Sequence, residues 1–395
     1  MGKRAFSAPG KALLVGGYLV LDPQYQSYVV ALSSRMHSVV ECKPSDQYKI
    51  KVVSAQFDND TWEYHIITDE QGNLIPQEDN QKNNQFVEKT IFNYDITIEI
   101  FSDAGFHSKD ESIIKENGVR KFNFHKKTIT KVPKTGLGSS ACLVTVLTSA
   151  LVSVFMGDKF DVRNESILLL THNLAQVAHC QAQGKVGSGF DVAAATFGSI
   201  FKQMLTIQTE LRKLINETDW SFTHKRIQLP KGLRLVMGDV KSGSETTKMV
   251  AKVKQCINEG NMKFIEALDT LNKTNDGALV SEIDSGNVTS RVLVDARDAI
   301  EQVRENFRII TNEGNVDVEP VVQTQLLDQV LNEKGVLTAM IPGAGGYDAI
   351  AIIVSEKCQI QTSANKIFDN VTFLDLKQED LGILEEQPED YEALE

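Results

Sequence analysis

The segment PKTGLGSSACLVTVLTSALVSVF, residues 133–155, constrains this chain more than any other. No charged residue occurs from Ala141 to Met156. A helix over Ser139–Phe155 therefore has no solvent face and belongs in a core. It falls short of the ~20 residues that a membrane span needs, and it contains Thr and Ser. The residues in front are of the opposite character. Gly136 and Gly138 admit backbone with φ > 0 and let a ligand come close. Ser139 or Ser140 is placed to act as the N-cap. A buried helix that begins this way aims unpaired N–H groups and the positive end of its dipole at the loop, which makes an anion site. A tight turn closed by an ordinary serine cap fits the same residues. The Walker pattern GxxxxGK[ST] is absent here.

Three further glycine clusters favour the phosphate cradle: SAPGKALLVGGY (7–18), GKVGSGFD (184–191) and IPGAGGYDA (341–349). Two of them set a lysine directly after glycine, at Lys11 and Lys185.

The first hundred residues read mostly as strands, at Ala12–Leu21, Tyr28–Val40, Tyr48–Val53, Glu63–Ile67 and Ile96–Phe101. Residues 69–84 read as a polar surface loop, Phe86–Tyr94 as a short helix, and residues 102–120 as polar and irregular. Helices follow at Ser139–Phe155, at Glu165–Gln183 and from near Asp191. A second region opens near Leu229-Pro230. It alternates helices (Ser244–Ile257, Met262–Leu271, Val288–Thr311, Pro320–Leu331, Gln361–Phe368) with strands (Leu233–Asp239, Val336–Ile341, Ala349–Val354, Val371–Leu376). The pattern predicts two α+β domains, over 1–228 and 229–377. No internal repeat or heptad pattern is visible.

Net charge is −12 over 395 residues, and most of it lies in residues 378–395, which hold eight acids and no Lys or Arg. That stretch reads as a solvated acidic tail. No basic stripe interleaves with aromatics, so nucleic acid is excluded as a partner. The five cysteines form no CxxC pair, which points away from zinc and redox motifs and toward reduced thiols in a cytoplasmic protein. No signal segment, membrane span or obligate protein partner is expected.

Taken together, PGKALLVGGYLVL, PKTGLGSSA and PGAGGYDA resemble, in order and separation, the three motifs of the GHMP kinase superfamily. The resemblance spans residues 4 to about 376. Within the superfamily, GGYLVLD, HNLAQVAHCQAQGKVGSGFDVAAA and IPGAGGYDAIA are similar to the phosphomevalonate kinases of fungi. The resemblance implies a ribosomal-protein-like nucleotide-binding domain followed by a ferredoxin-like α/β sandwich. It implies transfer of the γ-phosphate of ATP, with Mg2+, to 5-phosphomevalonate, giving 5-diphosphomevalonate. Mevalonate kinase, which acts on the alcohol, and a non-catalytic metabolite sensor are the alternatives.

The same resemblance assigns Lys11 and Asp191 to catalysis, although Asp191 also fits the N-cap of the next helix. The acceptor is a phosphomonoester with a second pKa near ~6, so it has no proton that must be removed. Asp191 is therefore expected to organise Lys11 and the metal more than to act as a base. Lys134, Thr135, Gly136, Leu137, Gly138, Ser139, Ser140 and Ala141 are expected around ATP, with Ser140 also reaching Mg2+; Lys134 reads equally as an exposed loop residue. Tyr18, Ser188, Lys241, Ser242, Gly345 and Gly346, with Lys11, are expected at the acceptor; Lys185, Ser244 and Lys248 are further candidates for its phosphate. Mevalonate kinases carry a metal-binding glutamate at a position that falls at or near Cys180, so no carboxylate stands there. His172 and His179, seven apart on one helix, read as structural residues rather than a metal pair.

Overall fold

The computed structural model describes residues 2–17, 19, 25–45, 49–68, 74–78, 95–184, 188–203, 223–240, 251–274, 277–314, 317–343, 345–347, 349–360, 368–369, 371–374 and 376–394. The predicted helices at Phe86–Tyr94 and over most of Gln361–Phe368 lie outside them.

Two sheets organise the chain. The larger has ten strands: β1 (Arg4–Val15), β2 (Gln26–Lys43), β3 (Lys49–Ser54), β4 (Asp60–Thr68), β5 (Leu74–Glu78), β6 (Asp95–Ser102), β9 (Ile200–Gln203), β10 (Thr223–Arg226), β15 (Gln378–Glu379) and β16 (Leu384–Glu386). A separate hairpin, β7 (Ser112–Glu116) and β8 (Lys121–His125), precedes helices α1 (Ser139–Met156), α2 (Glu165–Gln183) and α3 (Phe190–Phe197). In β3 burial alternates residue by residue, the mark of a strand with one wet face. In β1 and β2 nearly every residue is buried, because protein covers both faces. Antiparallel pairing of β1 with β2 shifts register between Pro9 and Gly10, where proline has no N–H to give the ladder.

The second sheet runs β12 (Val336–Met340), β13 (Ala349–Ser355), β11 (Leu233–Val240), β14 (Val371–Leu374). Its helices are α4 (Ala251–Thr274), α5 (Gly277–Ser285), α6 (Arg291–Gly314) and α7 (Val321–Leu331). Two helices predicted at Ser244–Ile257 and Met262–Leu271 are, over the described residues, the single helix α4. The NEGN segment that reads as a break is a crossing point: a Cβ on Gly260 would lie 2.8 Å from Val303 Cγ2 and 3.0 Å from the Ala299 carbonyl. Glycine is there to let α6 approach.

Three other expectations fail. Residues 102–120 contain part of the β7–β8 hairpin, turned at Asn117-Gly118 with Asn117 Oδ1 accepting the Val119 and Arg120 N–H groups and Gly118 at φ 83°. Within 69–84, Leu74–Glu78 is a strand paired to β4. The acidic tail is not a free end, although Asp380, Glu385, Glu389 and Glu392 remain exposed. Its β16 pairs with β1 and its β15 with β2. Glu386 accepts from Ser7 and from Arg120 at 2.8 Å. Tyr391 is buried with Phe101 and Phe122, its hydroxyl 2.9 Å from His37 Nδ1. The acids find arginines here, so charge holds the segment down instead of driving it into water.

Candidate active site

Helix α1 behaves as its composition requires: every residue from Ala141 to Leu151 is buried. It is one helix long and apolar enough to cross a membrane, and most of it is enclosed by protein. Its N-cap is neither serine. Gly138 holds that place at φ 80°, ψ 34°, and no side chain caps the helix. Ser139 and Ser140 occupy the first turn instead. Glycine is needed twice over at 138, for the left-handed backbone and for space, since a Cβ would stand 2.9 Å from Lys11 Cε. A helix start with no side-chain cap leaves its N–H groups for a ligand.

The loop is pinned to β1 from below. The Lys11 N–H donates to the Leu137 carbonyl at 2.9 Å, and Lys11 Nζ donates to the Gly136 carbonyl at 3.1 Å. Thr135 is buried, its hydroxyl donating to the Gly105 carbonyl at 2.6 Å. That hydroxyl is turned inward and anchors the loop. Lys134 is exposed, paired through its backbone with His107. Under the loop the Cys142 thiol donates to the Pro9 carbonyl at 3.1 Å; burial pushes its pKa up to about 12, so it stays protonated.

Asp191 reaches the same place from α3. It is not the N-cap: Gly189, at φ 66°, is. Asp191 sits in the first turn, where the helix dipole favours a carboxylate, with Oδ1 accepting its neighbour Val192 N–H at 2.9 Å. Loss of hydration holds the Lys11 ammonium below the usual lysine value, and the Asp191 charge works against that shift. The Phe190 ring lies 5.5 Å from Lys11 Nζ, within cation–π range. Small side chains let the three helices converge: Ala141 and Val144 of α1, Ala175 and Ala178 of α2, and Val192 of α3 form one buried cluster.

Helix α2 contributes a contact that the sequence does not reveal. His179, 3% exposed, places Nε2 3.2 Å from Ser140 Oγ. His172, on the same helix, packs instead against Phe197 and touches Asn173 Oδ1 at 3.1 Å. The Gln176 amide, buried and bonded to Cys180 Sγ at 3.1 Å, backs Gly189 so closely that a Cβ there would be 2.5 Å from its Oε1.

The third glycine cluster comes over from the second sheet. Gly343 donates to the Leu13 carbonyl at 3.1 Å, and a Cβ on Gly17 would be 2.0 Å from the Gly343 carbonyl oxygen. The Gly346 N–H donates to the Val318 carbonyl at 2.9 Å, and its own carbonyl accepts from Gln323 Nε2 at 3.3 Å. Next to Val318, the fully buried Glu319 carboxylate is held by Arg304 at 2.9 Å and Arg308 at 3.2 Å. Arg304, itself buried, also binds Asp328 at 2.7 Å and Glu301 at 3.2 Å.

The structure thus brings Lys11, Gly136, Leu137, Gly138, Ser139, Ser140, Ala141 and Asp191 to one place, with Ser188 just ahead of the α3 cap. Gly345 and Gly346 rest on Val318, and their loop touches the end of β1. Tyr18, Lys185, Lys241, Ser242, Ser244 and Lys248 lie outside the described residues. Sequence reasoning missed Phe190 and the Ser140–His179 contact. GSGFD did carry the phenylalanine, next to the aspartate.

Residues 110–199 match the family of GHMP kinase N-terminal domains. The chain is 41% identical to a phosphomevalonate kinase of Candida albicans over 99% of its own length and all of the relative's. It is 32% identical to phosphomevalonate kinase erg8 of Aspergillus fumigatus, covering 92% of this chain and 90% of that one. Its fold matches that of Streptococcus pneumoniae phosphomevalonate kinase in complex with phosphomevalonate and AMPPNP, with a TM-score of 0.60, 15% identity, and coverage of 95% and 99% of the two chains.

Proposed function

The chain belongs to the phosphomevalonate kinase family of GHMP kinases, and from that premise we propose how its residues perform the transfer. The reaction moves the γ-phosphate of ATP to the phosphate of 5-phosphomevalonate, giving 5-diphosphomevalonate and ADP. The observation that carries the acceptor's identity is the likeness to the fungal relatives at 41% and 32% identity, which runs through both sheets.

The triphosphate lies across the start of α1, where Gly136–Gly138 lets the backbone close on it and the first-turn N–H groups of Ser139, Ser140 and Ala141 receive it. Lys11, fixed at Gly136, faces the oxygens between which the phosphoryl group passes. A bond forms from an acceptor phosphate oxygen to Pγ, the bond from Pγ to the β-phosphate oxygen breaks, and the electron pair leaves with ADP. Such a transfer needs positioning and charge stabilisation. The acceptor oxygen carries no proton at neutral pH. Asp191 therefore has no proton to take, and its charge keeps Lys11 protonated in a site that strips water from it. Ser188, Gly345 and Gly346 border the acceptor side.

Mg2+ fits the donors present. The Ser140 hydroxyl and Asp191 carboxylate are hard oxygen ligands, and no cluster of three or more His, Cys, Asp or Glu that could cage an ion stands among the described residues. That suits a cation carried in on the nucleotide, with few protein ligands. It would neutralise charge between ATP and an anionic acceptor. Cytoplasmic residence belongs to the same reading and is supported by five free thiols.

The test is ADP release with each acceptor in turn. Turnover is expected with phosphomevalonate and not with mevalonate; turnover of mevalonate alone overturns the assignment.

A further inference from the structure

We propose that His179 is a positioning residue for the nucleotide site, holding the Ser140 hydroxyl so that its oxygen lone pairs face the cation-bearing phosphates. The proposal rests on the placement of ATP and Ser140 given above.

The geometry is specific. Ser140 stands in the first turn of a helix that no side chain caps. Its oxygen is instead 3.2 Å from His179 Nε2, and the Gln183 amide nitrogen stands 3.1 Å from that same nitrogen. With the Gln183 amide donating, Nε2 is the unprotonated ring nitrogen, and the Ser140 O–H can only donate to it, sharing the nitrogen's one lone pair with the amide. The serine oxygen is then left as an acceptor with its lone pairs free, the form a hard cation requires. An unrestrained serine hydroxyl would spread over three rotamers. His179 reaches Ser140 from a neighbouring helix held by small buried side chains, Ala141, Ala175 and Ala178 among them. Gln176, His179, Cys180 and Gln183 of α2 include no carboxylate. This stretch of α2 therefore acts through the orientation of a neutral ligand and adds no negative charge. Groups that orient a metal ligand typically matter about 10–100-fold in metal affinity.

The experiment measures AMPPNP binding by calorimetry with Mg2+ and with EDTA, alongside steady-state kinetics. His179→Phe is expected to cut the Mg2+-dependent gain in affinity about 10–100-fold. Binding in EDTA and the KM for phosphomevalonate should stay unchanged within about twofold. His179→Gln, whose amide can reach the same hydroxyl, should recover most of the gain. In a Ser140→Ala background His179→Phe should add nothing, as expected for two residues acting as one unit. Equal losses with and without Mg2+, or a full additional effect on top of Ser140→Ala, would overturn the proposal. So would a Ser140→Ala protein that keeps the whole Mg2+-dependent gain; its continued ADP release from phosphomevalonate would leave the kinase reading intact. If a lowered Tm shows that Phe is not tolerated, His179→Asn, too short to reach Ser140, makes the same comparison.

Discussion

Two glycine loops bond to the second half of β1, one at Lys11 and one at Leu13, and they are held in place by opposite means. The loop at 133–140 is fixed without an ion pair in the contacts described: carbonyls of Gly136 and Leu137 bonded to Lys11, the Thr135 hydroxyl turned inward, and an apolar helix sealed behind it. Gly345 and Gly346 rest on Val318, beside which Arg304, Arg308 and Glu319 form a buried ion network. The contrast follows from what each must tolerate. Among the described residues the first loop is offered only one carboxylate, Asp191, and that charge is set against the Lys11 ammonium. A loop that only has to stay put can be braced by charge, provided the charges satisfy one another.

The largest effect should come from breaking the brace. Glu319→Ala leaves the buried Arg304 without its main partner and is expected to cost about 3–5 kcal/mol of stability, read by denaturant unfolding. AMPPNP affinity of the folded fraction should hold within about twofold. A matching loss of nucleotide affinity would show that the two loops are one unit and dissolve the comparison.

Next comes the first loop. Gly138→Ala forces a side chain into left-handed backbone and against Lys11 Cε, a displacement on the ångström scale that should lower kcat/KM for ATP about 100-fold. Tm should fall far less than for Glu319→Ala. A variant with normal kinetics would remove Gly138 from the cradle.

A smaller effect tests charge near the first loop. Burial lowers the Lys11 pKa and Asp191 raises it. Asp191→Asn removes only the second influence, so the alkaline limb of kcat/KM should move to lower pH. An unmoved limb would mean that Asp191 does not support the Lys11 charge.

The smallest concerns how the helices begin. Ahead of α6, which carries both arginines, Glu282 accepts the N–H groups of Thr289 and Ser290 at 2.8 Å and the Ser290 hydroxyl. These bonds hold its pKa down to about 2, from 4.5. A depressed carboxylate stabilises the fold above its unfolded pKa, and that contribution fades as pH falls from about 4.5 toward about 2. Glu282→Gln should flatten this part of a Tm-versus-pH curve. The start of α1 has no titrating cap and should contribute no such slope.

Much of this was legible in the sequence, for reasons that can be named. An uncharged run such as Ala141–Met156 can only be a buried helix, and glycine before it can only loosen the loop. Lys11 and Asp191 were readable through the motifs around them. Other features depend on partners distant in the chain. The N-cap could not be assigned from GLGSS, because the choice of Gly138 depends on Lys11 passing beneath it. The single helix α4 looked broken at Gly260 because the reason for that glycine, Val303, lies in another helix. Residues 378–395 read as solvated because Arg4, Arg35 and Arg120, which receive their acids, come from the other end of the sequence. The Asn117-Gly118 turn, by contrast, was a local signal that went unread.

The pairing of Ser7 with Leu384 also bears on how the protein is made. Strand β1 carries Lys11, yet one of its hydrogen-bonding edges, at Ala5–Ser7, is satisfied by residues more than three hundred positions later in the chain. During translation that edge stays open while more than three hundred residues emerge, a template for pairing with the wrong strand. Contacts this distant in sequence also slow folding. The nascent chain is thus exposed to misassembly at the strand that carries Lys11, and β1 gains its second ladder only once synthesis has passed Glu386.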